Sequence, residues 1–94
     1  MQIIQYPAFE RFVKKIHPNA KRDLDKTIKL LSQNPLAGDL KKGDLNMVRV
    51  YKFKMVNHPM LLAYLYDESE KALTLLALGP HENFYRDLKK SYLI

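Results

Sequence analysis

The side chains best suited to catalysis are concentrated near the C-terminal end of the chain. An apolar stretch, residues 73–78, is interrupted at Gly79 and Pro80, which cannot continue a regular β-ladder, and His81 and Tyr85 follow directly. Histidine titrates near neutral pH, so His81 suits general acid or base catalysis. A rigid strand that ends in such a cluster can hold a reactive site in place. The alternative is that these residues only begin a short C-terminal helix.

A pair of lysines lies on one face of a predicted strand, residues 47–55. Apolar and polar side chains alternate there with a period of two, so Lys52 and Lys54 share a face and lie about 7 Å apart along the strand. The other face is apolar, apart from Arg49, and is expected to pack against helices. The two lysines are therefore expected on the open face of a sheet.

Histidine, tyrosine and paired lysines together suit RNA cleavage by the RNA's own 2′-hydroxyl. One group must take the 2′ proton, another must protonate the leaving 5′ oxygen, and cations must stabilise the charged phosphorane. We predict that His81 transfers a proton and that Tyr85 orients the scissile group or stacks on a base. Lys52 and Lys54 would supply positive charge at the phosphate. Each residue also has a purely structural interpretation: a helix-start histidine, a core tyrosine and a solubilising pair of lysines.

Length and charge indicate one basic domain, residues 1–94. The net charge of +6 is uneven: through Asn57 there are twelve Lys and Arg against five Asp and Glu, and from His58 onward four against five. Basic charge gathered in one part suggests a nucleic-acid surface or an acidic protein partner, although it can also be an ordinary solvated surface. Lys41 and Lys42, in a predicted loop, are candidate phosphate contacts.

Several classes of protein are disfavoured by what the sequence lacks. The absence of cysteine excludes disulfides and thiolate zinc sites and fits a cytoplasmic protein. No apolar run approaches the ~20 residues of a membrane span, and no secretory signal is evident. Glycine-rich phosphate loops, nucleophile elbows and paired-aspartate metal motifs are missing, and the three histidines are not at metal-ligand spacing. We therefore predict neither a metal nor a cofactor.

The hydrophobic periodicity predicts an α+β fold of the order β-α-α-β-β-β with a short C-terminal helix. Apolar residues recur at helical spacing before and after His17 and Pro18, and Asn34 and Pro35 end the second helix. We expect a twisted antiparallel sheet with the two N-terminal helices packed on one face. The predicted strands are residues 2–5, 47–55, 60–66 and 72–78, with a loop at residues 36–46 and a final helix at residues 81–92.

Three stretches carry a resemblance to a known family. They are VYKFK at residues 50–54, LLAY at residues 61–64 and LALGPHENFYRDL at residues 76–88. With the order of elements, they resemble the RelE/ParE superfamily of bacterial toxins from type II toxin–antitoxin pairs, over nearly the whole chain. The last stretch looks like the ending of a RelE-like subgroup.

The resemblance implies one of two activities. RelE-like members cut mRNA in the ribosomal A site without a metal, whereas ParE-like members inhibit DNA gyrase. Lys52 and Lys54 look like the RelE strand lysines that hold phosphate, and His81 stands where family members place an Arg or a His. Tyr85 is close to their C-terminal aromatic residue. RelE also has a catalytic Arg early in the third strand, where this sequence reads HPML at residues 58–61, and His58 or Arg49 is a candidate replacement.

We therefore predict the toxin of a type II system, acting as a ribosome-dependent mRNA endonuclease (an mRNA interferase) that arrests translation. Two alternatives stay open: a ParE-like, non-enzymatic inhibitor that binds gyrase through the helical hairpin and C-terminal surface, and a member without activity. The expected partner is an antitoxin whose acidic segment covers Lys52 and Lys54 or displaces the C-terminal helix. RNA and ribosome contacts are expected from Lys41, Lys42, Arg49, His58 and Arg86.

Overall fold

The computed structural model describes residues 1–93, and the predicted domain, residues 1–94, extends one residue beyond them. Within that part, five strands form one sheet and three α-helices flank it, which confirms the predicted α+β class and element order. The elements are β1 (Gln2–Gln5), α1 (Pro7–Val13), α2 (Pro18–Gln33), β2 (Asp39–Leu40), a 3₁₀ turn (Gly43–Leu45), β3 (Arg49–Met55), β4 (His58–Asp67), β5 (Ala72–Gly79) and α3 (Phe84–Tyr92).

The sheet is mixed rather than wholly antiparallel. Its strand order is β1-β5-β4-β3-β2, and β1 runs parallel to β5 while the other neighbours run antiparallel. Our expectation of an antiparallel sheet is thus corrected at one edge. A hairpin imposes antiparallel pairing, but β1 reaches β5 only through a long connection, which permits a parallel pair. The predicted loop at residues 36–46 also contains β2, whose two residues are too few to show a period of two.

The two N-terminal helices pack on one face of the sheet, as predicted. Proline begins each of them, a position where the missing N–H costs nothing, and the Nδ1 atom of His17 accepts a hydrogen bond from the backbone N–H of Asn19. A buried cluster of side chains joins the helices to this face, which we call the α1–α2 face. Its members include Phe9, Leu24, Leu31, Met55, Leu62, Tyr64, Leu73 and Leu75.

The third helix covers part of the opposite face, which we call the α3 face. Phe84 and Leu88 are buried there against Val48 and Val50, in a second cluster that also holds Leu61 and Leu76. The helix begins at Phe84, three residues after the predicted start, because Asn83 has a left-handed backbone with φ of 62°. No helix in residues 1–93 has the length and apolar character needed to cross a membrane.

A two-residue turn sets the register of β3 and β4. Val56 and Asn57 both have positive φ, 48° and 67°, which is the geometry of the turn that suits the twist of a hairpin. This conformation is unfavourable for a β-branched residue. The backbone N–H of Val56 donates to Oδ2 of Asp23 on α2 at 2.8 Å, so the helix helps to hold the turn. With this register, Lys52 lies opposite Leu61 and Lys54 opposite Pro59.

Tyr64 connects the sheet to the segment that follows α2. Its ring is fully buried, and its hydroxyl donates to the carbonyl oxygen of Pro35 at 2.7 Å and accepts from the N–H of Gly38 at 2.9 Å. A Cβ atom on Gly38 would lie 2.8 Å from the Tyr64 ring, so only glycine fits. Burial raises the pKa of Tyr64, which keeps the hydroxyl protonated as a donor. This contact anchors the segment that leads into β2.

Candidate functional site

Lys52 and His81 line the same cavity on the α3 face. Lys52 lies opposite Leu61, which in turn lies opposite Gly79, so the three residues form a row across β3, β4 and β5. His81 follows Gly79 by two residues, just beyond the end of β5. Both Lys52 and His81 are exposed, and the cavity, of about 170 Å³, is otherwise lined by Pro59, Met60 and Leu61. A lysine and a histidine therefore line one cavity whose other lining residues are apolar.

Tyr85 is in contact with His81 at the start of α3. The two ring centroids lie 6.1 Å apart and the ring planes are nearly perpendicular, at 79°. Phe84, which is buried beneath, meets Tyr85 edge-on at 5.4 Å. The Nζ atom of Lys41 lies 5.5 Å from the centroid of the Tyr85 ring, within the range of a cation–π interaction. Tyr85 is thus held between His81 and Lys41.

The site can attract an anion. Among the residues that the structure describes, those lining the Lys52–His81 cavity carry an ammonium, an imidazole and no carboxylate. Lys54 is exposed on the same face, two residues further along β3, but it lies outside the cavity and next to the turn. Positive charge close to a histidine, over an apolar surface that limits hydration, suits a phosphodiester.

Arg49 and His58 lie on the α1–α2 face, away from His81. Arg49 is opposite Tyr64, and its Nη1 donates to the carbonyl oxygens of Gly38 at 3.0 Å and Leu36 at 3.3 Å. His58 is opposite Met55, at the rim of a separate apolar groove of about 530 Å³. The structure therefore does not bring either residue to the cavity. The resemblance to RelE implies a catalytic arginine near the start of β4. This chain has Met60 and Leu61 there, and both line the cavity.

The remaining predicted cations divide into two groups. Lys41 and Lys42 line a second cavity, of about 430 Å³, together with Tyr85. Lys89 lines it too; the sequence interpretation missed this residue, although its i, i+4 spacing from Tyr85 on α3 was a usable signal. Arg86 is exposed on α3, where its Nε atom lies 3.4 Å from Oδ1 of the neighbouring Asp87. It contributes to the basic surface without lining either cavity.

A metal site is not formed by the side chains that the structure describes. In residues 1–93, no three or more His, Cys, Asp or Glu residues are grouped in a way that could hold a metal ion. Histidine and lysine are side-chain types that can transfer a proton and stabilise a negative charge, and both line the Lys52–His81 cavity.

Solved toxin structures share this fold. A mutant of the E. coli toxin RelE in the free state superposes with a TM-score of 0.75 at 10% identity, covering 98% of this chain and 93% of that chain. The intact E. coli RelBE toxin–antitoxin complex matches with a TM-score of 0.68 at 14% identity, covering 84% and 94%. A conserved hypothetical protein from Helicobacter pylori matches with a TM-score of 0.57 at 25% identity, covering 87% and 96%. No curated protein matches the chain.

The architecture is thus that of a RelE-like toxin. The sequence gives the family directly, because the family of ParE-like toxins of type II bacterial toxin–antitoxin systems matches residues 3–89. The chain belongs to this family. The membership confirms the predicted RelE/ParE superfamily and the predicted role as the toxin of a type II toxin–antitoxin system.

Proposed function

We propose that this toxin is a ribosome-dependent mRNA endonuclease that cuts RNA through its 2′-hydroxyl and so arrests translation. The observation that supports this proposal is the shared cavity of Lys52 and His81, with the Tyr85 ring in a T-shaped contact with the imidazole. Lys52 supplies a cation and His81 a group for proton transfer, both of which the reaction requires, and Tyr85 can orient the nucleotide. Lys52 is on β3, whereas His81, just after β5, and Tyr85, on α3, come much later in the chain.

The proposed chemistry follows from the position of each side chain. The scissile phosphodiester occupies the cavity, where Lys52 stabilises the negative charge that develops on the phosphorane. The 2′ oxygen loses its proton and forms a bond to phosphorus as the bond to the 5′ oxygen breaks, which leaves a 2′,3′-cyclic phosphate and a protonated 5′-hydroxyl. His81 carries out one of these two proton transfers, taking the 2′ proton or protonating the 5′ oxygen, and solvent water carries out the other. Tyr85 orients the nucleotide, either through its hydroxyl or by stacking. No step in this scheme requires a metal.

The wider basic surface would hold the ribosome-bound mRNA. Lys54 lies on the same sheet face as Lys52, and Lys41, Lys42 and Arg86 lie near or on α3. Arg49 and His58 could contact RNA only from the α1–α2 face. Long-range attraction of this kind increases association rates and weakens as salt is added.

Regulation would come from an antitoxin with an acidic segment that folds on this surface. Coverage of Lys52 and Lys54 would remove the cations from the site directly, and displacement of α3 would remove Tyr85. The E. coli RelBE complex shows that a toxin of this fold forms a complex with an antitoxin. Since ribosomes are the proposed target, we place the toxin in the cytoplasm.

The test uses purified toxin and ribosomes programmed with a defined mRNA. We expect cleavage within the A-site codon, with rates that fall by ~10²-fold or more for His81→Ala and for Lys52→Ala. His17→Asn is the matched histidine control, because His17 lies at the start of α2 and Asn can also cap a helix. Normal cleavage by both site variants would refute the assignment.

Inhibition of DNA gyrase is the second candidate function, favoured by the ParE-like family and by the apolar side chains where RelE has an arginine. In this case, supercoiling by purified gyrase would stop at a stoichiometric amount of toxin and ribosomal mRNA would stay intact. Brief induction of the toxin in cells distinguishes the two functions. Protein synthesis should fail first if the toxin is a nuclease, and DNA supercoiling should fail first if it inhibits gyrase. A toxin without activity would change neither.

A further inference from the structure

A second cavity lies beside the Lys52–His81 cavity. It has a volume of about 430 Å³, and its charged lining consists of three lysines and one aspartate, Lys41, Lys42, Lys89 and Asp44. These residues come from the segment after β2, the 3₁₀ turn and α3. The lysines outnumber the carboxylate, so the cavity favours an anion.

Tyr85 joins the two cavities. Tyr85 lines the second cavity, and its ring makes a T-shaped contact with the imidazole of His81, which lines the first. An extended chain held over His81 can therefore continue past Tyr85 into the second cavity. A single-stranded nucleic acid is such a chain, and it carries a negative charge at every residue.

The position of Lys41 indicates which part of a nucleotide the second cavity takes. Its ammonium group lies over the Tyr85 ring, 5.5 Å from the centroid, and its backbone N–H is held by the carbonyl oxygen of Val48 at 2.8 Å. A base that stacked on this side of Tyr85 would have to displace Lys41. A phosphate would instead bind the ammonium where it lies.

We propose that this cavity is a second phosphate subsite for single-stranded RNA, binding a phosphate that flanks the one over His81. The proposal rests on the proposed function and adds Lys89 to the residues that bind substrate. Asp44 competes with the phosphate, because its Oδ2 atom lies 3.6 Å from Nζ of Lys89. Lysine and aspartate substitutions should therefore have opposite effects.

The experiment measures the binding of purified toxin to a short single-stranded 2′-O-methyl RNA, which cannot be cleaved, over a series of salt concentrations. The logarithm of the binding constant falls linearly with the logarithm of the salt concentration. For a single strand, each lost phosphate contact makes this slope less steep by about 0.7. We expect this reduction for Lys41→Gln and again for Lys89→Gln, with several-fold weaker binding at low salt. Asp44→Asn should bind several-fold more tightly than the wild type.

Lys26→Gln is the matched control, because it removes the same charge from the exposed side of α2, in the opposite layer. Its slope should equal that of the wild type. The proposal is overturned if the Lys41 and Lys89 variants behave like Lys26→Gln, if Asp44→Asn binds no more tightly, or if the wild type does not bind the oligomer at low salt. The binding assay involves neither cleavage nor ribosomes. Its result therefore stays valid even if normal cleavage by His81→Ala refutes the proposed nuclease site.

Discussion

Lys52 and His81 lie on opposite sides of β4, yet their side chains line one cavity. Lys52 lies on β3 and His81 just after β5, and the link between them is the row through Leu61 and Gly79. Any change in the β3–β4 or β4–β5 register by one residue would move Lys52 to the other face of the sheet relative to His81. The site therefore depends on two strand registers as much as on its own residues.

The two strand lysines should differ in importance. Only Lys52 lines the cavity with His81, whereas Lys54 lies beside the turn, so Lys54→Ala should slow cleavage by less than ~10-fold while Lys52→Ala slows it by ~10²-fold or more. Single-turnover cutting of ribosome-bound mRNA measures both. Lys29→Ala on α2 controls for the loss of one charge. Equal losses at Lys52 and Lys54 would show that the cavity does not define the site.

Tyr85 should act through its ring rather than through its hydroxyl if packing against His81 is what positions the nucleotide. Tyr85→Phe keeps the 6.1 Å edge contact and should retain cleavage within a few fold, whereas Tyr85→Ala should lose at least ~10-fold. The same ribosome assay measures these rates. A loss for Tyr85→Phe as large as that for Tyr85→Ala would instead assign the function to the hydroxyl.

Arg49 should stabilise the fold more than it assists cleavage. Its guanidinium holds the carbonyl oxygens of Leu36 and Gly38, and Arg49→Met should therefore lower the free energy of unfolding by about 1 kcal/mol. Urea denaturation measures this change. The cleavage rate of the folded variant should fall much less than that of Lys52→Ala. A loss of ~10²-fold in cleavage with unchanged stability would place Arg49 in the site.

The contact between Gly38 and Tyr64 should be sensitive to a single methyl group. Gly38→Ala places a Cβ 2.8 Å from a ring that is fully buried, so we expect a cost of about 1–3 kcal/mol in unfolding free energy. Tyr64→Phe leaves the carbonyl of Pro35 and the N–H of Gly38 unsatisfied, with a similar cost.

Gly43→Ala is the comparison for Gly38→Ala. No other atom lies within 4 Å of a Cβ at Gly43, and the substitution should cost only about 1 kcal/mol because φ there is 69°. Urea denaturation of the three variants provides the measurement. A Gly38→Ala variant no less stable than Gly43→Ala would mean that the segment after α2 can move away from Tyr64.

Asp67 should make stability depend on acid pH. The hydroxyl of Ser69 and the backbone N–H groups of Glu70 and Ser69 donate to its Oδ1 atom and lower the pKa of Asp67. A carboxyl group whose pKa is lower in the folded state than in the unfolded state stabilises the fold at pH values above its pKa in the unfolded state, about 3.9. This contribution disappears as the pH falls through the pKa of the group in the folded state.

The stability difference between the wild type and Asp67→Asn should therefore shrink as pH falls from 5 to 2, as followed by thermal unfolding. Ser69→Ala, which removes the hydroxyl donor, should weaken the dependence. A difference that stays constant over this pH range would exclude an ionised Asp67 as a source of stability.

Local patterns were sufficient to predict every α-helix and strand except β2, and part of the site. The period of two through β3 correctly put Lys52 and Lys54 on one face and Arg49 on the other, because alternation along a strand depends only on backbone geometry. The proline and glycine breaks likewise marked the helix and strand ends to within a few residues. These signals come from residues that are close together in sequence, so they can be recognised without knowledge of the tertiary structure.

Such patterns could not predict contacts between residues that are far apart in sequence. The parallel pairing of β1 with β5, the cavity that Lys52 shares with His81, and the approach of Lys41 to Tyr85 all depend on strand order, register and helix docking. The same lack of information left Arg49 and His58 as candidates for a site that they do not reach. Packing of the whole chain selects among the possible registers, because only one of them buries both apolar faces of the sheet.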